Sequence, residues 1–129
     1  MASIDDPGVR ALLDPANHAV ISTINEDGSV HSTVVWQEAV DGKLVINSAL
    51  GRRWPTNLLR DSRLTAVVYA QDNPYEYVMI RGTAVGTTGG ADAQIRGLAK
   101  KYTGSDDFDH PGEERIMFVV QPEQVVHRA

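Results

Sequence analysis

Four of the chain's twelve basic side chains fall in the run Arg52-Arg53-Trp54-Pro55-Thr56-Asn57-Leu58-Leu59-Arg60-Asp61-Ser62-Arg63. Four arginines and one aspartate give this window +3, on a chain whose formal net charge is −5. A basic island on an acidic protein points to an anion met at one place. Leu44-Val45-Ile46-Asn47-Ser48, just before it, reads as a strand, and Pro55 suits the first turn of a helix that the arginines open. A strand, a hydroxyl and two arginines at a helix N-terminus make a chemically sensible phosphate cradle, with Ser48, Arg52 and Arg53 as its candidates. The competing structural reading is a solvated helix start. Arg60 and Arg63 lie toward the helix end, where cations complement the dipole, and are read as structural. Asn57 serves either a neighbouring loop or a ligand.

Other chemistries find little support. The histidines, at 18, 31, 110 and 127, have no HxxxH or HxH spacing, and there is no cysteine, so no metal site is expected. A thiolate nucleophile and a disulfide framework are excluded on the same count. GxSxG, GxxxxGK and GxGxxG are all missing, and Gly86-Thr-Thr-Gly89-Gly90 reads as a turn because no βαβ unit surrounds it. Overall acidity argues against nucleic acid, which wants an extended basic face. No apolar run approaches the ~18 residues of a membrane span. The start, Met1-Ala-Ser-Ile-Asp-Asp, lacks a basic segment leading into an apolar one, so the cytoplasm is the expected compartment.

At 129 residues, one domain spanning 1–129 is expected, with a core of ordinary apolar content. Val9, Leu12 and Leu13 give a short helix from Asp5 to Leu13. Strands then take over, His18–Ile24 and Val30–Trp36 around an Asp27-Gly28 turn, and Lys43–Ser48 after a second turn at Asp41-Gly42. Beyond the basic helix, Leu64–Ala70 is rich in β-formers and Asp72-Asn73-Pro74 interrupts it. Tyr75–Thr88 resumes as a long strand with Gly82 and Gly86 as expected bends or bulges. Asp92–Tyr102 has helical periodicity and a stop at Gly104, and Ser105–Glu114 reads as an acidic loop. Arg115–Gln121 and Val125-Val126 supply a last strand or two, split by Pro122. Six or so antiparallel strands with two or three short helices predict a mainly β protein built as a small barrel.

The order of these elements, with the residues inside them, resembles the split β-barrel flavin and deazaflavin oxidoreductases, the superfamily of pyridoxamine 5'-phosphate oxidase. The resemblance rests on Ser22–Gly28 with Val34-Val35-Trp36, on Arg52-Arg53 followed by Asn57–Arg63, on Arg81-Gly82-Thr83-Ala84 and on Val119–Val125. It covers Pro7 to Val126 and is narrowest toward the branch that uses coenzyme F420, an anionic deazaflavin. Members of that branch often carry a lysine where this chain has Trp54-Pro55. The longer C-terminal substrate segment of true pyridoxamine phosphate oxidases is absent, which argues against vitamin-salvage chemistry.

The resemblance implies a homodimer with a cofactor at each subunit interface. By that match His31, Ser32, Thr33 and Val34 lie along the ring system, and Ser48, Arg52, Arg53, Trp54 and Asn57 stand at its phosphate end. Tyr75 of the partner subunit would cover the ring. His31 also reads as a plain exposed strand residue, Tyr75 as strand packing, and Trp36 as core or dimer packing. The implied function is hydride transfer between F420 and a small conjugated or aromatic substrate. No acid–base pair stands out in the sequence, and the catalytic residues stay unassigned. FMN in the same fold is the alternative cofactor, since its single phosphate also suits Ser48, Arg52 and Arg53, whereas the F420 tail wants further cations such as Lys100, Lys101 or Arg128. A non-enzymatic carrier of a flavin, deazaflavin or tetrapyrrole is the alternative from another class.

Overall fold

A computed structural model describes residues 2–129; Met1, the first residue of the expected domain, lies outside the described residues. The elements run α1 (Pro7–Leu13), β1 (Ala19–Ile24), β2 (Val30–Val35), β3 (Glu38–Val40), β4 (Lys43–Ala49), α2 (Arg53–Arg60), β5 (Arg63–Ala70), β6 (Asn73–Thr87), α3 (Ala91–Thr103) and β7 (Arg115–Arg128). All strand pairs are antiparallel, in the order β2-β1-β5-β6-β7-β4-β3. β2 and β3, at opposite ends of that ladder, are separated only by Trp36 and Gln37. The sheet must therefore curl until its two edges meet, which is the split barrel. None of the helices among the described residues is long and apolar enough to cross a membrane.

Both expected Asp-Gly turns are present. Asp41 and Gly42 take φ of 52° and 73°, the paired positive angles of a tight hairpin, and Gly28 takes 87°. Alternation then sorts the strands. Ala19, Ile21, Ala66, Val68, Val78 and Ile80 turn inward and are fully buried. β4 departs from the pattern, because Lys43 alone escapes burial along it. Leu44, Ile46 and Ser48 face the barrel, paired with Val120, Phe118 and Ile116. Val45 and Asn47 face outward beneath α3, which packs on β4 and β7.

Several details differ from expectation, and one is that Asn73 and Pro74 open β6 where they were expected to interrupt the strands. Pro122 does not split the last strand; β7 runs through it, and the β6–β7 register shifts opposite, between Arg81 and Gly82. Gly82 is required there, since a Cβ would lie 2.0 Å from the Gln121 carbonyl oxygen. Gly86 marks no register shift; a Cβ there would meet the Phe118 ring at 2.8 Å, so it serves close packing instead.

The curl is tied at Gln37, which is wholly buried. Its Nε2 donates to the carbonyls of Leu13 and Asn17, at 3.0 and 3.1 Å, and its backbone N–H donates to the Tyr102 hydroxyl at 3.1 Å. Lys101 Nζ donates to the carbonyls of Leu13 and Gln37, both at 2.7 Å. Half-burial lowers Lys101 to about 8, against upward pulls from Glu38 and Asp14, and burial raises Tyr102. Below pH 8 the lysine is protonated whether folded or not. Between about 8 and 10.5 the unfolded chain keeps a proton that the folded chain has lost, so stability rises with pH. Above pH 10 the unfolded phenol ionises before the folded one, and Tyr102 reverses the trend. The urea midpoint should climb from pH 8 to 10 and then level or fall, and Lys101→Met should flatten the climb.

Candidate functional site

A cleft of about 660 Å³ opens where β2, β4 and the start of α2 converge. β2 presents His31 and Thr33 to it, with Val34 at the rim, and Ser48 follows from the end of β4. Arg52, Arg53 and Trp54 then enter from α2. These seven expected residues line one cleft, with α2 packed on β1 and bonded to Asn25 of the β1–β2 turn through Arg53 and Asn57. Trp54 anchors the helix, only 7% exposed and 5.6 Å from the Phe118 ring. Arg52 is the N-cap in extended conformation and makes no side-chain cap, so the first N–H groups of α2 are left for other acceptors.

The three remaining expected residues lie elsewhere. Ser32 points to the outer face of the β1–β2 ladder, its hydroxyl 2.8 Å from that of Ser22. Tyr75 stands at the start of β6, 84% exposed and away from the cleft of its own chain. Asn57 is buried behind the cradle, where its Nδ2 donates to Thr23 Oγ1 at 3.1 Å and to Asn25 Oδ1 at 2.9 Å. Arg53 Nη1 reaches the same Asn25 oxygen at 3.4 Å. Asn25 is itself fixed by the β1–β2 turn, through a backbone bond with Ser29 at 2.8 Å. Asn57 thus orders the loop that orders Arg53. Arg60, the last residue of α2, donates to the Ile24 carbonyl, and Arg63, expected near the helix end, instead opens β5 and pairs with Asp61.

The opposite wall carries residues that sequence reasoning did not single out. Arg115, the first residue of β7, is 8% exposed and lines the cleft. Its Nε donates to Asn47 Oδ1 at 3.1 Å and its Nη1 to Glu113 at 2.8 Å. The Phe108 ring covers the guanidinium at 5.0 Å, and His110 packs against that ring at 4.3 Å. Asn47 holds α3 in turn, donating to the Ala91 carbonyl and to Gln94. Trp36 lines the cleft near β2, stacked on Tyr102 at 5.2 Å and 8°. An arginine opening an apolar strand after an acidic loop was the one available signal, and only the fold brings it across from Arg52.

Charge in the cleft is unbalanced. Arg52, Arg53 and Arg115 line it, and among the described residues the carboxylate that forms ion pairs with them is Glu113, which pairs with both Arg52 and Arg115. Desolvation pushes Glu113 upward, but the Arg115 hydrogen bond and the charges of Arg52, Arg115 and His110 outweigh it and hold the carboxyl below its usual value. No group of histidine, aspartate and glutamate side chains among the described residues could hold a metal ion. The arrangement can bind an anion beside a flat, half-apolar wall.

The family model described as pyridoxamine 5'-phosphate oxidase matches residues 6–129. The chain belongs to that family. Among solved structures, this pyridoxamine 5'-phosphate oxidase-family chain is similar to an F420 reductase at 21% identity, over 91% of this chain and 94% of that one, with a TM-score of 0.81. A conserved hypothetical protein from Mycobacterium tuberculosis follows at 17% identity, 96% and 84% coverage and a TM-score of 0.79. A putative pyridoxamine 5'-phosphate oxidase from Listeria innocua matches at 17% identity, 92% and 94% coverage and a TM-score of 0.72. At these identities the likeness is one of fold. No curated protein matches the chain.

In this family member Asn57 is a structural support of the cleft. Asn57→Ala should lower folding stability by about 1–3 kcal/mol, because it removes a buried bond to Thr23 and one of the two donors to the half-buried Asn25. Denaturant titration of the variant against the parent chain checks this.

Proposed function

We propose that the protein is an F420-dependent oxidoreductase, residues 1–129 forming one cofactor-binding domain in a cytoplasmic homodimer. The observation that carries this reading is the excess of guanidinium over carboxylate in a cleft beside an edge strand. The donor set fits the cofactor's phosphate: Ser48, Arg52, Arg53 and the uncapped start of α2 converge on one rim. When bound, the deazaflavin supplies the hydride for a small conjugated or aromatic substrate, and no side chain is assigned a chemical step. The chain's own residues bind and orient. His31, Ser32, Thr33 and Val34 offer the β2 main chain to the ring, while Trp54 fixes the helix and Asn57 holds Arg53 through Asn25. Similarity to an F420 reductase along nearly the whole chain supports the cofactor choice.

A second reading, FMN, draws support from where the other cations lie. Lys101 is engaged with the Leu13 and Gln37 carbonyls, and neither it nor Lys100 nor Arg128 lines the cleft. One compact anion position suits a single phosphate. A carrier without activity would bind either cofactor but leave it unchanged when candidate substrates are added. Titrating F420 and FMN separately, by fluorescence quenching, decides between them, and the proposal expects tighter F420 binding. Arg53→Ala should weaken that binding about ten- to a hundredfold, since a charge-assisted hydrogen bond contributes roughly 1.5–3 kcal/mol. Arg60→Ala, on the same helix, should leave it nearly unchanged. Tighter FMN binding would move the assignment to the flavin.

Dimerisation is supported by the outer face of the barrel. Val34, Val20, Val67, Met79 and Val126 are direct cross-strand partners in succession, one from each of β2, β1, β5, β6 and β7. They form an apolar row about 19 Å long at the usual inter-strand spacing. A polar row, Ser32, Ser22, Thr65, Arg81 and Gln124, runs beside it. Val34 belongs both to the apolar row and to the cleft rim, so a twin seated on this face would wall the site and could bring its Tyr75 over it. Light scattering should give a dimer mass, and Val67→Lys should give a monomer with weakened cofactor binding. A Val67→Lys protein that stays dimeric would place the interface elsewhere.

A further inference from the structure

We propose that Glu113 is a built-in counter-ion that an incoming oxyanion displaces from Arg52, so that this carboxylate sets how tightly the cleft holds anions. The inference rests on the reading of the cleft as an anion site, and not on which cofactor fills it. Glu113 bridges two guanidiniums from distant elements. Its Oε2 meets Arg52 at the start of α2, and its Oε1 meets Arg115 Nη1 at 2.8 Å, with His110 Nδ1 at 3.6 Å. Arg52 is the same residue that the helix start offers to a ligand. A carboxylate from beside the cleft therefore already engages the guanidinium that a phosphate would use.

The two halves of the bridge differ in strength. The Arg115 side chain is 7% exposed and is held by Asn47 beneath Phe108, whereas that of Arg52 is 54% exposed. A guanidinium shielded from water cannot lose its counter-ion cheaply, while an exposed one exchanges ion for water readily. Exchange must then occur at Arg52. The backbone on either side of Glu113 is fastened, since Glu113 N–H bonds the His110 carbonyl at 3.2 Å and the Glu114 carbonyl accepts from Leu50 N–H at 2.9 Å. Rotation of the Glu113 side chain alone can release Arg52 while Arg115 keeps its partner. Arg53, which donates to the neutral Asn25, joins the freed Arg52 on the ligand.

The test needs no cofactor. Inorganic pyrophosphate is titrated by calorimetry into the full chain, its Glu113→Gln variant, and both again with Arg52→Gln. Glutamine keeps an acceptor for Arg115 and removes the competing charge. The proposal expects Glu113→Gln to bind pyrophosphate about three- to tenfold more tightly. In the Arg52→Gln background that gain should shrink to within about twofold. Unchanged or weaker binding in Glu113→Gln would make Glu113 a loop tether and overturn the inference. An equal gain in both backgrounds would make it diffuse charge and overturn it as well. If Glu113→Gln does not fold, Glu113→Asp replaces it; that carboxylate is too short to span both guanidiniums and should still tighten binding, and no gain would count against the proposal. Should F420 and FMN both fail to bind while the Glu113 effect holds, only the cofactor assignment falls.

Discussion

Two residues join strands that stand at opposite ends of a seven-strand ladder, and most of the architecture follows from that shortage of chain. Trp36 and Gln37 cannot span a flat sheet, so the sheet curls until β2 and β3 come together. The crossover is then buried, and its polar groups need partners inside the protein. Gln37 finds them in the carbonyls of Leu13 and Asn17 and in the hydroxyl of Tyr102, while Lys101 caps its carbonyl. α1 and α3, far apart in sequence, are thereby fixed to the same two residues. Among these atoms the Gln37 Oε1 is buried without a partner, so the knot carries a polar cost as well as its bonds.

The cleft is the outside consequence of that curl. Where β2 approaches β4 the strands do not pair, and the gap is filled from above by the start of α2 and from the side by the loop leading into β7. β4 serves both compartments. Its inward residues complete the core against β7, while its outward Asn47 bonds the first turn of α3 and steadies Arg115. Burying a guanidinium here costs desolvation, and Glu113, Asn47 and the Phe108 face offset that cost from three directions. Placing a cation so deep is hard to explain by stability alone, since a hydrophobic side chain would fill the space at no electrostatic penalty. The proposed anion site would give Arg115 a use, since it holds Glu113 while Arg52 exchanges partners.

Legibility in the sequence followed the range of the interactions. Local signals carried far: both Asp-Gly turns, the strands on either side of them and the helix that stops at Gly104 lie within a residue or two of where pattern places them, and a short helix follows the first arginines. Arg52, Arg53 and Ser48 were legible as neighbours because they share one strand–helix junction. Arg115 was not, being more than sixty residues downstream of Arg52, with its partner Asn47 on another strand. The faces of β2 also exceed what period two can tell. Alternation separates His31 and Thr33 from Ser32 and Val34, but which set meets the cleft depends on how the edge strand is seated against β1. Pro122 misleads for a related reason, because the neighbouring Gly82 absorbs the register shift that would otherwise end the strand.

Edge strands usually carry a penalty, since unpaired backbone groups invite aggregation. In this chain the exposed edge of β2, the rim of the cleft and the outer apolar row share Val34. A ring lying along β2 would use main-chain groups that no neighbouring strand claims, and a twin on the apolar row would cover what the ring leaves open. Cofactor and partner would then each complete a surface that the other leaves unfinished. Binding of one should strengthen binding of the other, because the same strand is ordered only once. In the proposed dimer the unpaired edge, a liability in an isolated barrel, would become the place where assembly and ligand binding are coupled.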